Sequence, residues 1–149
     1  MIVLAVLVDA VRFRFAPLHA IVSILYRSPL PWRLTYSEAN SLVAVGDEEG
    51  GIRLLDSAKD DKAGFSKAYL SFRPHTNALM DLEFSSDDML LATASGDQTS
   101  LVIDMVTQTP VYCLSNHFSS VKRVQFQPGG NKVLATCGRD GNVNIWDLR

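Results

Sequence analysis

The sequence of 149 residues is short of several things, and each shortage removes a class of function. It holds two cysteines, Cys113 and Cys137, with no CxxC spacing. That excludes a disulfide framework and points to a reducing compartment, nucleus or cytosol. It holds three histidines, too scattered to suggest a metal site, and no cofactor is expected. It has no cluster of basic residues, and a formal net charge of −2 gives no electrostatic footprint for nucleic acid. It has no long apolar run: the opening MIVLAVLV is stopped by Asp9, well short of the roughly 20 residues a spanning helix needs, so no membrane role is expected. Arg12 and Arg14 follow that run instead of preceding it, against a cleaved secretory signal. No GxSxG, P-loop or HExxH spacing is present.

What is present looks globular: 47% hydrophobic and 20% charged residues, enough chain for one domain with a real core. Residues 1–30 read as an atypical N-terminal segment, irregular or partly helical, or strand-like where Val11, Phe13 and Phe15 alternate with Arg12 and Arg14.

From residue 31 the chain repeats itself. LVAVGDEEGGIRLLD (Leu42–Asp56), LLATASGDQTSLVID (Leu90–Asp104) and VLATCGRDGNVNIWD (Val133–Asp147) align without gaps. Each is an apolar strand, an acidic turn and a second apolar strand ending in Asp. Seven places before that Asp stands an acid: Glu49, Asp97 or Asp140. The final Asp recurs at intervals of 48 and 43 residues. That period belongs to four-stranded propeller blades. FSSDDML and FQPGGNKV place turn residues between apolar runs, as in an antiparallel meander. DSAKDDKAGFSK (Asp56–Lys67) reads as a longer surface loop, and His75–Ala78 as a loop. The expectation is an all-β partial propeller of about three four-stranded blades, incomplete and open, over repeats 31–73, 74–115 and 116–149. Bare strand edges in such a fan suggest a fragment of a longer propeller.

The third repeat, with His117, Thr136, Asp140 and Trp146-Asp147, resembles the WD-repeat family. The resemblance implies a buried hydrogen-bond chain: the Trp146 indole donates to the Thr136 hydroxyl, which donates to His117, whose other nitrogen donates to Asp140. The second repeat keeps His75, Thr93 and Asp97, with Ile103 in place of Trp. The first, with Val45, Glu49 and Leu55, is the most degraded. A His beside a hydroxyl and an Asp imitates a catalytic triad, but internal wiring explains these groups better than catalysis.

The phrases AVGDEEG, GDQT and GRDGN followed by WDLR, in this order, resemble the denticleless family of WD-repeat substrate receptors for cullin-4 RING ubiquitin ligases. That resemblance implies a non-catalytic chain. Its partners would be the ligase adaptor and ubiquitination substrates bound to the replication clamp, proliferating-cell nuclear antigen. Its place would be the nucleus, with the cytoplasm also open. The family's docking motif, Trp-Asp-x-Arg, matches Trp146, Asp147 and Arg149, with Arg149 offering a forked guanidinium and Asp147 orienting it. A generic WD scaffold of another complex is the alternative.

Overall fold

The computed structural model describes residues 33–37, 41–56 and 70–149. Residues 1–30 and most of the Asp56–Lys67 loop, both singled out in the sequence, lie outside them. Among the described residues the chain forms eleven strands and no helix. They make three antiparallel sheets, each a meander in which sequence neighbours pair. Blade 1 is β1 (Arg33–Tyr36), β2 (Leu42–Gly46), β3 (Ile52–Asp56) and β4 (Leu70–Phe72). Blade 2 is β5 (Leu79–Phe84), β6 (Leu90–Ser95), β7 (Ser100–Asp104) and β8 (Thr109–Leu114). Blade 3 is β9 (Val121–Phe126), β10 (Val133–Gly138) and β11 (Val143–Asp147). Two blades thus have the expected four strands. The third has three, and β11 has no outer neighbour among the described residues.

Blade 2 shows why these strands read as almost continuous apolar runs. Side chains alternate faces along a strand, and both faces of this sheet are covered. Leu91, Leu101 and Ile103 join Ile52 and Leu54 of blade 1 in one core. Ala92, Ala94 and Val102 join Val124, Phe126 and Leu134 of blade 3 in another. Five of the six residues of β6 are buried. The outer face of blade 3 has no such cover among the described residues: Val143 and Ile145 are each 68% exposed, while Asn144 and Trp146 alternate inward. The fan is therefore open.

The first strands of the blades lie side by side, and side chains satisfy their free backbone edges. The Arg33 guanidinium donates to the Met80 carbonyl (2.8 Å). Asp81 accepts from the Val124 amide (3.2 Å) and Glu83 from the Phe126 amide (2.7 Å). An unpaired buried amide is costly, so these carboxylates do for β9 what a neighbouring strand would otherwise do. Burial pushes the Asp81 carboxyl above its ordinary value, opposed by the Val124 amide, Arg33 and Arg123.

Candidate functional site

The two ends of the blades carry different chemistry. At one end lie the loops before β5 and β9 and the turns after β2, β6 and β10. Here the structure brings together His75, Thr93 and Asp97 in blade 2. His75 Nε2 is 2.7 Å from Thr93 Oγ1, and its Nδ1 is 2.9 Å from Asp97 Oδ2. In blade 3, His117 Nε2 is 2.9 Å from Thr136 Oγ1, and Nδ1 is 3.0 Å from Asp140 Oδ2. The Trp146 indole donates to Thr136 Oγ1 at 2.9 Å. Each carboxylate also accepts the amide that follows its histidine, Thr76 (3.1 Å) or Phe118 (2.9 Å). Each relay therefore ties a loop, a turn and the interior of its sheet.

Hydrogen-bond supply fixes the direction of the third-blade relay. An indole N–H and an amide NH2 can only donate. Trp146 therefore makes the Thr136 oxygen an acceptor, and the hydroxyl proton goes to His117 Nε2. Asn144 Nδ2 also reaches Nε2, at 3.1 Å. Nε2 is thus the bare nitrogen, and Nδ1–H points at Asp140. Blade 2 lacks the indole, and the Leu101 amide replaces it, donating to Thr93 Oγ1 at 3.2 Å.

Electrostatics agree with internal wiring. Burial pushes His75 below its ordinary value, more strongly than Asp97 raises it. Burial alone would raise Asp140, but the Phe118 and Asn142 amides and the His117 ring outweigh it and hold the carboxyl at about 2. Asp97 is likewise lowered: against burial, it accepts from Thr99 and His75. The two hydroxyls are sealed, Thr93 0% and Thr136 1% exposed, so neither can meet a substrate.

Among its described residues, blade 1 has no relay. Val45 and Leu55 are buried with Val43 in a small apolar cluster. Glu49 occupies the acid position of the aligned repeats, but it is exposed and faces Arg73 at 3.5 Å. Asp47 does the work of the turn instead, accepting the Glu49 amide (3.0 Å) and the Gly51 amide (2.7 Å). The residue after the aligned acid has positive φ in all three blades: Gly50 (87°), Gln98 (75°) and Gly141 (80°). Glycine suits that conformation and glutamine does not. A Cβ at Gly50 would also stand 2.5 Å from the His75 carbonyl oxygen.

The opposite end carries Trp146-Asp147-Leu148-Arg149. β11 stops at Asp147, and Arg149 lies two residues beyond it. The Arg149 guanidinium grips Asp147 through Nε (2.8 Å) and Nη2, and its amide also bonds Asp147 Oδ1 (3.1 Å). Those bonds hold Asp147 at about 2 and raise Arg149, so the pair stays ionised. The side chain of Arg149 is 72% exposed. Its Nη1 hydrogens have no partner among the described residues. Trp146 faces inward to Thr136, so the structure puts Asp147 and Arg149, but not the indole, at this surface.

Comparison with known proteins identifies the family and the fold. The family described as WD domain, G-beta repeat, matches residues 66–104 and 108–147. The chain belongs to the WD-repeat family. Each matched repeat begins with the outer strand of one blade and continues through three strands of the next, so every repeat links two blades. Within the family the chain is denticleless-like. It is 37% identical over 131 residues to cell division cycle protein cdt2 of Schizosaccharomyces pombe, covering 80% of this chain and 27% of that protein. It is 33% identical over 122 residues to the human denticleless protein homolog, covering 80% of this chain and 16% of that protein. The Xenopus laevis denticleless protein homolog A is 34% identical over 116 residues, 77% of this chain and 16% of that protein. The chain therefore spans about a quarter or less of these relatives. A chain in the crystal structure of a mitotic checkpoint complex shares the fold, with a TM-score of 0.70 at 21% identity, over 80% of this chain and 36% of that one.

Proposed function

We propose that these blades belong to a substrate receptor of a cullin-4 RING ubiquitin ligase, a non-catalytic protein that binds the ligase adaptor through the face bearing Arg149. The observation that carries the reading is Arg149 itself. It follows Trp146-Asp147-Leu148 in a denticleless-like chain, is anchored to Asp147, and presents free donors to solvent. A guanidinium held in a fixed plane makes forked bonds to a carboxylate, which suits specific docking. The receptor breaks no bond. It holds a substrate lysine near charged ubiquitin and so raises its effective concentration.

The finer parts of the proposal follow the family resemblance. The substrates are proteins bound to the replication clamp, proliferating-cell nuclear antigen, and the setting is replication-linked proteasomal degradation in the nucleus. The experiment is co-purification of the cullin-4 adaptor with the full-length protein, wild type against Arg149→Ala. Loss of adaptor from the variant is expected. Equal recovery would remove Arg149 from docking and favour a WD scaffold of another complex.

A further inference from the structure

Each blade has two unlike faces. One carries bulky residues: Leu91 and Ile103 in blade 2, Leu134 and Trp146 in blade 3. The other sets small residues of the second strand beside apolar residues of the third. In blade 1 it is Ala44 beside Leu54, and it receives Leu91 and Ile103 of blade 2. In blade 2 it is Ala92 beside Val102, and it receives Leu134 and Trp146 of blade 3.

Blade 3 repeats the second kind of face and leaves it bare. The strand register sets Arg123, Cys137 and Val143 in one row across the sheet, and Gln125, Ala135 and Ile145 in the next. Asp147 ends the same face of β11. Val143 and Ile145 are exposed, and Ala135 and Cys137 are half-buried. The charges of this face are Arg123 at one corner and Asp147 diagonally across. Arg123 reaches back to Asp81 at 3.9 Å, yet its side chain is 64% exposed. Asp147 holds Arg149 and is itself half exposed.

A contiguous bare apolar face marks a contact surface. The bulky faces that cover its counterparts are already taken within this chain. Those of blades 2 and 3 lie on blades 1 and 2, and in blade 1 Val43, Val45 and Leu55 are themselves buried. A second copy therefore brings only the same face. Identical faces meet about a two-fold axis. With the strands aligned, each charge would lie against an uncharged residue. With the strands crossed near a right angle, as sheets also pack, Arg123 of each copy can lie opposite Asp147 of the other.

We infer that the free face of blade 3 is a self-association surface. Two copies of this chain pair through it, with Ala135 near the axis, Val143 and Ile145 in the contact, and Arg123 against Asp147 of the second copy. Strand spacing and rise give about 300 Å² of flat face per copy, below the roughly 800 Å² per partner of a standard interface. The dimer is accordingly weak, dissociating at about 10–100 μM.

The test is sedimentation of the 149-residue chain across a range of concentrations, with circular dichroism to confirm folding. A monomer–dimer equilibrium is expected. Ile145→Lys puts a charge into the contact and should weaken it about tenfold or more. Val106→Lys, at an equally exposed apolar residue of blade 2, should leave it unchanged. Arg123→Gln and Asp147→Asn should each weaken it about threefold, and together no more than either alone. Alkylation of Cys137 should slow as concentration rises, while the exposed Cys113 on β8 reacts at a constant rate. A chain that stays monomeric at hundreds of micromolar, or a dimer that Ile145→Lys leaves intact, overturns the proposal. Open-ended oligomers overturn it too, because they need two unlike faces. Additive losses from Arg123→Gln and Asp147→Asn would refute the crossed pairing. A monomer whose Cys137 is shielded at every concentration would assign the face to another stretch of the same polypeptide and likewise overturn the proposal.

Discussion

Replacing the relay threonines by valine separates the two blades. Thr93→Val and Thr136→Val each exchange a sealed hydroxyl for a methyl of nearly the same shape, so the apolar gain is common to both. What differs is what is left behind. Among the described residues Thr93 is the only side chain bonded to His75 Nε2, and the His75 side chain is fully buried. Its loss strands that nitrogen and also takes away the side-chain acceptor of the Leu101 amide, about 2–4 kcal/mol in all. His117 Nε2 keeps Asn144 Nδ2 at 3.1 Å when Thr136 is lost, and the partly exposed Trp146 can turn to water. The cost there is about 1–2 kcal/mol. Thr93→Val should therefore be the more damaging by about 1–2 kcal/mol, although its repeat lacks the tryptophan. Urea unfolding of the full-length protein, followed by tryptophan fluorescence and circular dichroism, measures both. Equal losses, or a larger loss for Thr136→Val, would refute the argument that stranded partners set the cost.

Other expectations follow from the same structure. Trp146→Phe removes one donor to Thr136 and should cost about 1 kcal/mol in urea unfolding; no change would mean that the indole bond contributes nothing. Gln98→Gly relieves a positive φ of 75° and should stabilise the fold by about 0.5–1 kcal/mol; a loss would show that the glutamine side chain matters more than its backbone. His75 is held below its ordinary value, so the unfolded chain takes up a proton first as pH falls. Its stabilisation is present at neutral pH and fades below about pH 6.5, with a further loss below about pH 4 as Asp140, held at about 2, begins to lag its unfolded counterpart. Asp81 runs the other way, since a raised carboxyl gains stability on acidification. Unfolding midpoints that stay flat from pH 7 to 5.5 would contradict the His75 assignment. Asp81→Asn keeps an oxygen for the Val124 amide and should stay within about 1 kcal/mol of wild type, whereas Asp81→Leu removes the acceptor and should cost about 1–3 kcal/mol; equal effects would mean that water serves the β9 edge.

Much of this was legible in the sequence because the governing signals are local. Alternating apolar residues, acidic turns and a constant distance to the final Asp locate the strands and place His75, Thr93 and Asp97 beside their third-repeat counterparts. Other features carry weaker signals or none. Aligning acids by position selects Glu49, yet the turn needs a short carboxylate that reaches back over its own loop, and Asp47 two residues earlier supplies it. The positive φ of Gln98 was foreshadowed only by Gly50 and Gly141 at the same place. Asn144 as an added partner of His117, and Tyr112 as a strut under Leu148, depend on how blades pack. The acidic side chains that cap β9 likewise sit 43 residues from the amides they satisfy. No periodicity reports such contacts.

The buried relays carry stability, and on the proposed function the arginine at the opposite end carries binding. The most direct test compares adaptor binding by Arg149→Ala and Thr93→Val of the full-length protein, at a temperature where both are folded. Arg149→Ala should lose the adaptor and Thr93→Val should keep it. Binding that survives Arg149→Ala but is lost in folded Thr93→Val would contradict that division.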